Sequence, residues 1–220
     1  MGNFTKGSLN GTCYVKKDTD KNSYFGECKD GKKDGYGTWF YQGVILNGTF
    51  EDDEFKDGSR INSRGEKYTG PMNSKIKPEG DGETHRKYSI HKGKYVDGKA
   101  EGLGNKTWKK SQMIYDGNYA DDLEDGEGVL TWKKYKLRLK TIKYEGNFEK
   151  GRPKGKCKIT IANKFSYEGE YDPDTQMFKG KSKEAEEDPI ISFRFNFRKG
   201  KIAKEAKLVY VNGNIYTGGF

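Results

Sequence analysis

The chain has 220 residues, of which 31% are hydrophobic, 34% charged and 30 glycine, with a formal net charge of +9. That composition excludes a thick aliphatic core, while a 14% aromatic share, with fifteen Tyr and twelve Phe, excludes a disordered chain. The basic excess favours acidic partners in general, but acids interspersed with the bases and the lack of a groove-entering module argue against nucleic acid.

One frame recurs along the chain. Gly2, Phe4, Gly7 and Gly11 open it in partial form, and Tyr24, Gly26, Cys28, Gly31, Gly35 and Gly37 give the first full copy, followed by Trp39. Gly48 and Phe50, then Tyr68, Gly70, Gly80 and Gly82, are weaker copies. Gly93, Tyr95, Gly98, Gly102 and Gly104 restore the frame before Trp108, with His91 in the tyrosine slot. Tyr115, Gly117, Tyr119, Gly126 and Gly128 precede Trp132, and Tyr144, Gly146, Phe148, Gly151 and Gly155 end on Cys157 in the last glycine slot. Tyr167, Gly169, Tyr171 and Gly180 follow with fewer glycines, then Phe193, Phe195, Phe197 and Gly200, and last Tyr216, Gly218 and Phe220. The period is about 23 residues, stretched where insertions fall near 133–140 and 184–188, so the whole chain, 1–220, reads as one repeat domain.

Within a copy, Tyr144, Gly146 and Phe148 alternate at the period of a strand and share one face. A glycine between two aromatics on that face is expected to let a ring from a neighbouring strand lie over bare backbone. Polar turns such as KDGKKDG and EKGRPKG follow, in which Gly31 and Gly151 can take positive φ, and GYGTW or GEGVLTW returns as a second strand. Each copy therefore reads as a hairpin. A lone hairpin is marginal in water, so the expected fold is all-β: an elongated, twisted, single-layer antiparallel meander of about ten hairpins stacked side by side.

The recurring Tyr-x-Gly-x-aromatic-x-x-Gly-x-x-x-Gly-x-Gly frame resembles the MORN repeat, the membrane occupation and recognition nexus family. The resemblance spans essentially the whole chain and implies a β-meander without an active site or cofactor. It also implies a rod or scaffold, of the stand-alone kind found in radial-spoke heads of cilia and flagella or in cytoskeletal assemblies, in preference to the members that join membranes or accompany lipid kinases. The expected function is a non-enzymatic scaffold in a cytoplasmic, cytoskeletal or axonemal assembly with protein partners. Two alternatives stand beside it: a peripheral module binding acidic phospholipids and an accessory subunit of an enzyme complex.

Other signals are weighed against this frame. DTQMFKGKS lacks the glycine that a phosphate-binding loop needs four residues before GKS, and Gly180 already belongs to the repeat. His85 and His91 read as solvent-facing strand residues, and the acids Glu51, Asp52 and Asp53, like Asp121 and Asp122, as turn residues facing water. Cys13, Cys28 and Cys157 carry no CxxC spacing, so neither a disulfide framework nor a zinc site is signalled; they read as partly buried thiols in a reducing compartment. No apolar run approaches a membrane span and no secretory segment opens the chain, which reads as intracellular and soluble. Trp39, Trp108 and Trp132 are candidates for partner contact. So is the basic stretch with Lys133, Lys134, Tyr135, Lys136, Arg138 and Lys140, which reads either as a solvated loop or as a docking patch for an acidic surface. Stopping at IYTGGF leaves Phe220 in half a hairpin, an edge that either recruits a strand of another molecule into a homo- or hetero-oligomer or ends as a cap.

Overall fold

The computed structural model describes residues 2–5, 7–16, 22–133, 141–161, 165–182, 190–196, 201–209 and 214–219. Every element among them is a strand. Contacts group the chain into two units, Met1–Ala100 and Glu101–Phe220. The first holds β1 (Gly2–Thr5), β2 (Ser8–Lys16), β3 (Asn22–Lys29), β4 (Lys32–Tyr41), β5 (Val44–Glu51), β6 (Glu54–Ile61), β7 (Lys67–Pro71), β8 (Gly80–His85), β9 (Ser89–Val96) and the start of β10 (Lys99–Trp108). The second continues through β11 (Met113–Ala120), β12 (Leu123–Lys133), β13 (Thr141–Glu149), β14 (Arg152–Ile161), β15 (Phe165–Asp172), β16 (Met177–Ser182), β17 (Ile190–Asn196), β18 (Lys201–Val209) and β19 (Ile215–Gly219). In each unit consecutive strands pair antiparallel in an open meander. The expected succession of hairpins is what the chain forms.

The frame glycines have separate tasks, which the copy from Tyr24 to Trp39 illustrates. Asp30 and Gly31 both take positive φ, 49° and 81°, the pair of angles of a two-residue turn that suits the twist of a hairpin. Gly35, at φ 95°, stands where the register shifts between Gly26 and Cys28, so it makes the β-bulge. Gly26 faces Gly37 across the strands, and a Cβ on either would overlap the Tyr24 ring.

The covering ring thus differs in origin from the sequence expectation. It comes from the tyrosine two residues earlier on the same strand, and it reaches across to the glycine of the next strand. Tyr115 covers Gly117 and Gly128 in the same way, and Tyr68 covers Gly70 and Gly82. The reason lies in the hydroxyl. Tyr24, Tyr115 and Tyr144 donate to the carbonyls of Glu27, Asn118 and Asn147, three residues on, at 2.8, 2.9 and 3.0 Å. Those carbonyls fall at the bulges, where the ladder is interrupted. In the copy beginning at Tyr167 the arrangement changes: Gly169 pairs with Cys157 and Gly180, and the ring over Gly180 is that of Phe178.

The covered face is built from these rings meeting edge to face. Tyr24 meets Phe50 at 5.2 Å and Phe50 meets Phe55 at 5.0 Å. In the second unit Tyr115 meets Tyr119 at 5.3 Å and Phe148 at 4.8 Å, and Tyr144 meets Phe148 at 5.3 Å. Such pairs add about 0.5–1.5 kcal/mol each beyond the area they bury. The tyrosine of one copy thereby packs on the phenylalanine of the next, which couples neighbouring hairpins.

Turns are clamped to each other as well. Asp30 N–H donates to Asn10 Oδ1, Asp121 N–H to Glu101 Oε1 and Lys150 N–H to Asp125 Oδ2, at 2.9–3.1 Å. Lys33 N–H donates to Asp53 Oδ1 at 3.0 Å while Asp53 N–H donates back to the Lys33 carbonyl at 2.9 Å. The expectation that these acids are turn residues facing only water is therefore corrected for Glu51, Asp52 and Asp53: Asp52 and Asp53 bind the lysines of the preceding hairpin, Lys32 at 3.0 Å and Lys33 at 2.7 Å, and Glu51 ends β5 with its carboxylate 3.7 Å from Lys56 Nζ.

Two further expectations are corrected. Cys13 and Cys28 form a disulfide, their Cα atoms 6.0 Å apart. Cys13 stands opposite Gly26, and Cys28 lies two residues beyond that glycine, a diagonal neighbour on the same face that sequence separation does not reveal. Cys157 stays a free thiol and is buried. His91 is buried, not solvent-facing, because it occupies the tyrosine slot; its Nδ1 lies 2.7 Å from the Tyr95 hydroxyl, which is itself 2.7 Å from Thr84 Oγ1.

Candidate binding clefts

Where the second strand of a copy ends, a tryptophan opens onto a small cleft. In the first unit Trp39 stacks on Tyr41, centroids 4.4 Å apart, and its Nε1 donates to Asn22 Oδ1 at 2.8 Å. Lys33 Nζ lies 4.6 Å from the centre of the Trp39 ring, held there by Asp53. Burial acts against the charged Asp53 carboxylate, but the Lys33 ammonium and backbone N–H outweigh it and hold the carboxyl below its ordinary range. With Val15, Tyr24, Cys28 and Gly31 these groups line about 200 Å³.

The second unit repeats the set with other residues. Trp108, Met113, Tyr115, Leu130, Phe148 and Pro153 line about 210 Å³, with Ser111, Gly151 and Glu124 completing the wall. Lys106 Nζ lies 4.7 Å from the centre of the Trp108 ring and 2.8 Å from Glu124 Oε1. Lysine and glutamate are only 18% and 12% exposed, so this pair is shielded from salt far better than those at the turns. Each cleft is thus a tryptophan face, a lysine laid over it and a carboxylate from the next hairpin. Its size suits one apolar side chain of a bound segment, with charged groups at the rim to fix its direction.

Trp132, the third candidate, is 2% exposed and belongs to the packed face, which leaves Trp39 and Trp108 to line clefts. Lys133 is exposed at the end of β12. Lys134, Tyr135, Lys136, Arg138, Lys140 and Phe220 lie outside the described residues. A basic recess that the sequence did not single out forms instead at the β13–β14 turn: Lys150, Arg152 and Lys154, with Glu149, Pro173 and Asp174, enclose about 450 Å³. Lys154 is ion-paired to Glu149. The run EKGRPKG contains all three basic residues, but it reads as an ordinary turn until the β15–β16 turn is seen beside it. Among the described residues no group of three or more His, Cys, Asp or Glu could hold a metal ion.

Ring-covered glycines, bulged hairpins and turns clamped at regular intervals define a β-hairpin repeat protein. A model of the MORN repeat matches residues 24–43, 91–113, 115–135 and 144–164, four copies in which the glycine frame is best kept. Over those four stretches the chain carries MORN repeats. No curated protein matches it.

Proposed function

We propose that the chain is a non-enzymatic scaffold that holds or spaces proteins in a large intracellular assembly, with the ciliary axoneme, in the manner of radial-spoke heads, or another cytoskeletal complex as its setting. MORN repeats serve generally as repeat scaffolds or membrane-binding modules and are generally non-catalytic. The observation that carries the scaffold reading is the recurrence of one cleft design, Trp39 with Lys33 and Asp53 in one unit and Trp108 with Lys106 and Glu124 in the other. Repeated docking points suit extended partners, whereas catalysis needs unlike groups converging on one place. The buried polar rings support the same reading, since Tyr24, Tyr115 and Tyr144 bind backbone carbonyls of their own strand.

Expression of the tagged chain in ciliated cells, followed by detergent extraction, tests this. Retention with the axonemal or cytoskeletal fraction, lost in the Trp39→Ala/Trp108→Ala double variant, is expected. A wild-type chain that washes out entirely into the soluble fraction sinks the reading. Identification of co-purifying proteins separates a cytoskeletal scaffold from an accessory subunit of an enzyme complex.

A second reading, binding of acidic phospholipids, is favoured by the recess of Lys150, Arg152 and Lys154 together with the net charge of +9. Sedimentation with phosphatidylserine vesicles that is salt-sensitive and lost in the Lys150→Glu/Arg152→Glu variant would establish it in place of the first.

A further inference from the structure

The face opposite the rings is not alike in the two units. In the second unit its rows carry charge: Asp116, Val129, Glu145, Lys158, Glu168 and Lys181 stand side by side across β11 to β16. In the first unit the equivalent row reads Tyr14, Phe25, Thr38, Asn47, Ser59 and Thr69 across β2 to β7, without a single charge. On one side of it runs a row with Phe40, Ile45 and Ile61, and on the other a row with Tyr36 and Thr49. Phe25 is 59% exposed, Tyr36 57%, and Phe40 and Tyr14 each 45%.

Internal repetition supplies the control. Phe25, next to the first ring-covered glycine, takes the slot of Asp116 and Glu145 in the second unit. Tyr36 takes that of Glu127 and Lys156, and Phe40 that of Thr131 and Thr160. Tyr36 has one local partner, Asn47 Oδ1, to which its hydroxyl donates at 2.5 Å, but the hairpin itself does not require an aromatic at these slots, since it is built twice with polar residues. Three replacements converging on one exposed patch need a partner that covers it.

We infer that this face of the first unit is a self-association surface, on which a second copy of the chain packs sheet to sheet. Charge placement selects the occupant. Lys16 and Lys67 end the Phe40 row, while Glu27 and Asp57 stand in the Tyr36 row. A two-fold axis between the sheets, running across the strands, lays the Phe40 row of one copy on the Tyr36 row of the other and the neutral row on itself. Lysines then meet acids from both sides, and rings meet rings at the roughly 10 Å spacing of packed sheets. An axis along the strands would set lysine over lysine. An anionic membrane would meet Glu27 and Asp57 head on, which leaves the second copy as the better complement. Six strands and five residues along each cover on the order of 500 Å² of sheet, below the roughly 800 Å² that a standard interface covers on each partner, which suits a weak, concentration-dependent dimer.

Sedimentation velocity of the full chain from about 1 to 100 µM tests the inference. The wild type is expected to dimerise. The Phe25→Glu/Tyr36→Lys/Phe40→Thr variant, built only from residues that other copies carry in those slots, is expected to associate at least tenfold more weakly with unchanged far-ultraviolet circular dichroism. Lys67→Asp and Asp57→Lys each weaken the dimer, and their combination restores it. Should the triple variant misfold, footprinting of the unmutated chain decides: Phe25, Tyr36 and Phe40 lose reactivity as concentration rises. A wild type that stays monomeric throughout overturns the inference, whether or not the patch then binds vesicles or another protein. So does a dimer in which the three rings keep their reactivity. A double charge reversal no better than its parents overturns the two-fold arrangement.

Discussion

The Tyr115 hydroxyl donates a 2.9 Å hydrogen bond to the carbonyl of Asn118, three residues further along the same strand. The ladder between β11 and β12 shifts between Gly117 and Tyr119, so this carbonyl sits within a bulge and the phenol replaces its lost ladder partner. One residue therefore shields two glycines and satisfies the bulge beside them. Tyr115→Phe keeps the ring and removes only the hydroxyl; it is expected to cost about 1–2 kcal/mol. Tyr115→Ala also uncovers Gly117 and Gly128 and is expected to cost about 3–5 kcal/mol. Urea denaturation of both variants measures this, and equal losses would show that the hydroxyl has no role of its own.

Two glycines of the frame separate steric from backbone constraints. A Cβ on Gly128 would overlap the Tyr115 ring and hydroxyl, whereas at Gly155 nothing lies within 4 Å and only its φ of 72° opposes a side chain. Gly128→Ala is expected to cost about 2–3 kcal/mol through overpacking, and Gly155→Ala about 1–2 kcal/mol through the left-handed backbone. The discriminating measurement is the double variant with a smaller ring partner: Tyr115→Leu should recover part of the Gly128→Ala loss and none of the Gly155→Ala loss. Equal recovery at both sites would refute the distinction.

Why the frame was readable and much else was not follows from the range of each interaction. Gly31 and Gly151 act through turn geometry within a few residues, so their spacing alone announces a hairpin. The tyrosine and its glycine are two residues apart, which is equally local. The clamp between Lys33 and Asp53 joins residues 20 positions apart and exists only because consecutive turns stack, so the acid looked like a solvated turn residue. The Cys13–Cys28 bridge needs the register of β2 on β3, and the burial of His91 needs recognition that histidine can stand in a tyrosine slot. The clefts of Trp39 and Trp108 depend on lysines at different offsets, six residues before the one and two before the other, so no shared motif marks them.

The Lys106–Glu124 pair is expected to behave unlike the pairs at the turns. Both side chains are largely shielded, and the lysine also lies over Trp108, so removing one partner strands the other in poor solvent. Glu124→Gln is expected to cost about 1–2 kcal/mol, little reduced by 0.5 M salt. Glu149→Gln, which breaks the exposed pair with Lys154, is expected to leave stability nearly unchanged. Tryptophan emission from the Trp108 cleft should shift in the first variant only. Comparable small effects from both would mean that the cleft charges are solvated after all.

Alkaline pH should unfold the protein through its buried tyrosines. Burial raises Tyr24 and Tyr68 to about 12 and lifts Tyr115, Tyr144 and Tyr171 further still, from an ordinary value of 10.0. Burial also raises the Cys157 thiol from 9.0 to about 12. Below the ordinary values both folded and unfolded chains keep these protons, and stability does not depend on them. Above pH 9 for the thiol and pH 10 for the phenols, the unfolded chain releases protons that the folded chain retains, so stability falls as pH rises. Urea midpoints are expected to change little from these groups between pH 7 and 9 and to fall steeply between pH 10 and 12. Phenolate absorbance near 295 nm from the five rings should rise together with loss of the β-sheet circular dichroism. If that absorbance instead rose gradually around pH 10 with the sheet signal intact, the rings would not be sealed in the packed face, and the packing that joins one hairpin to the next would have to be different.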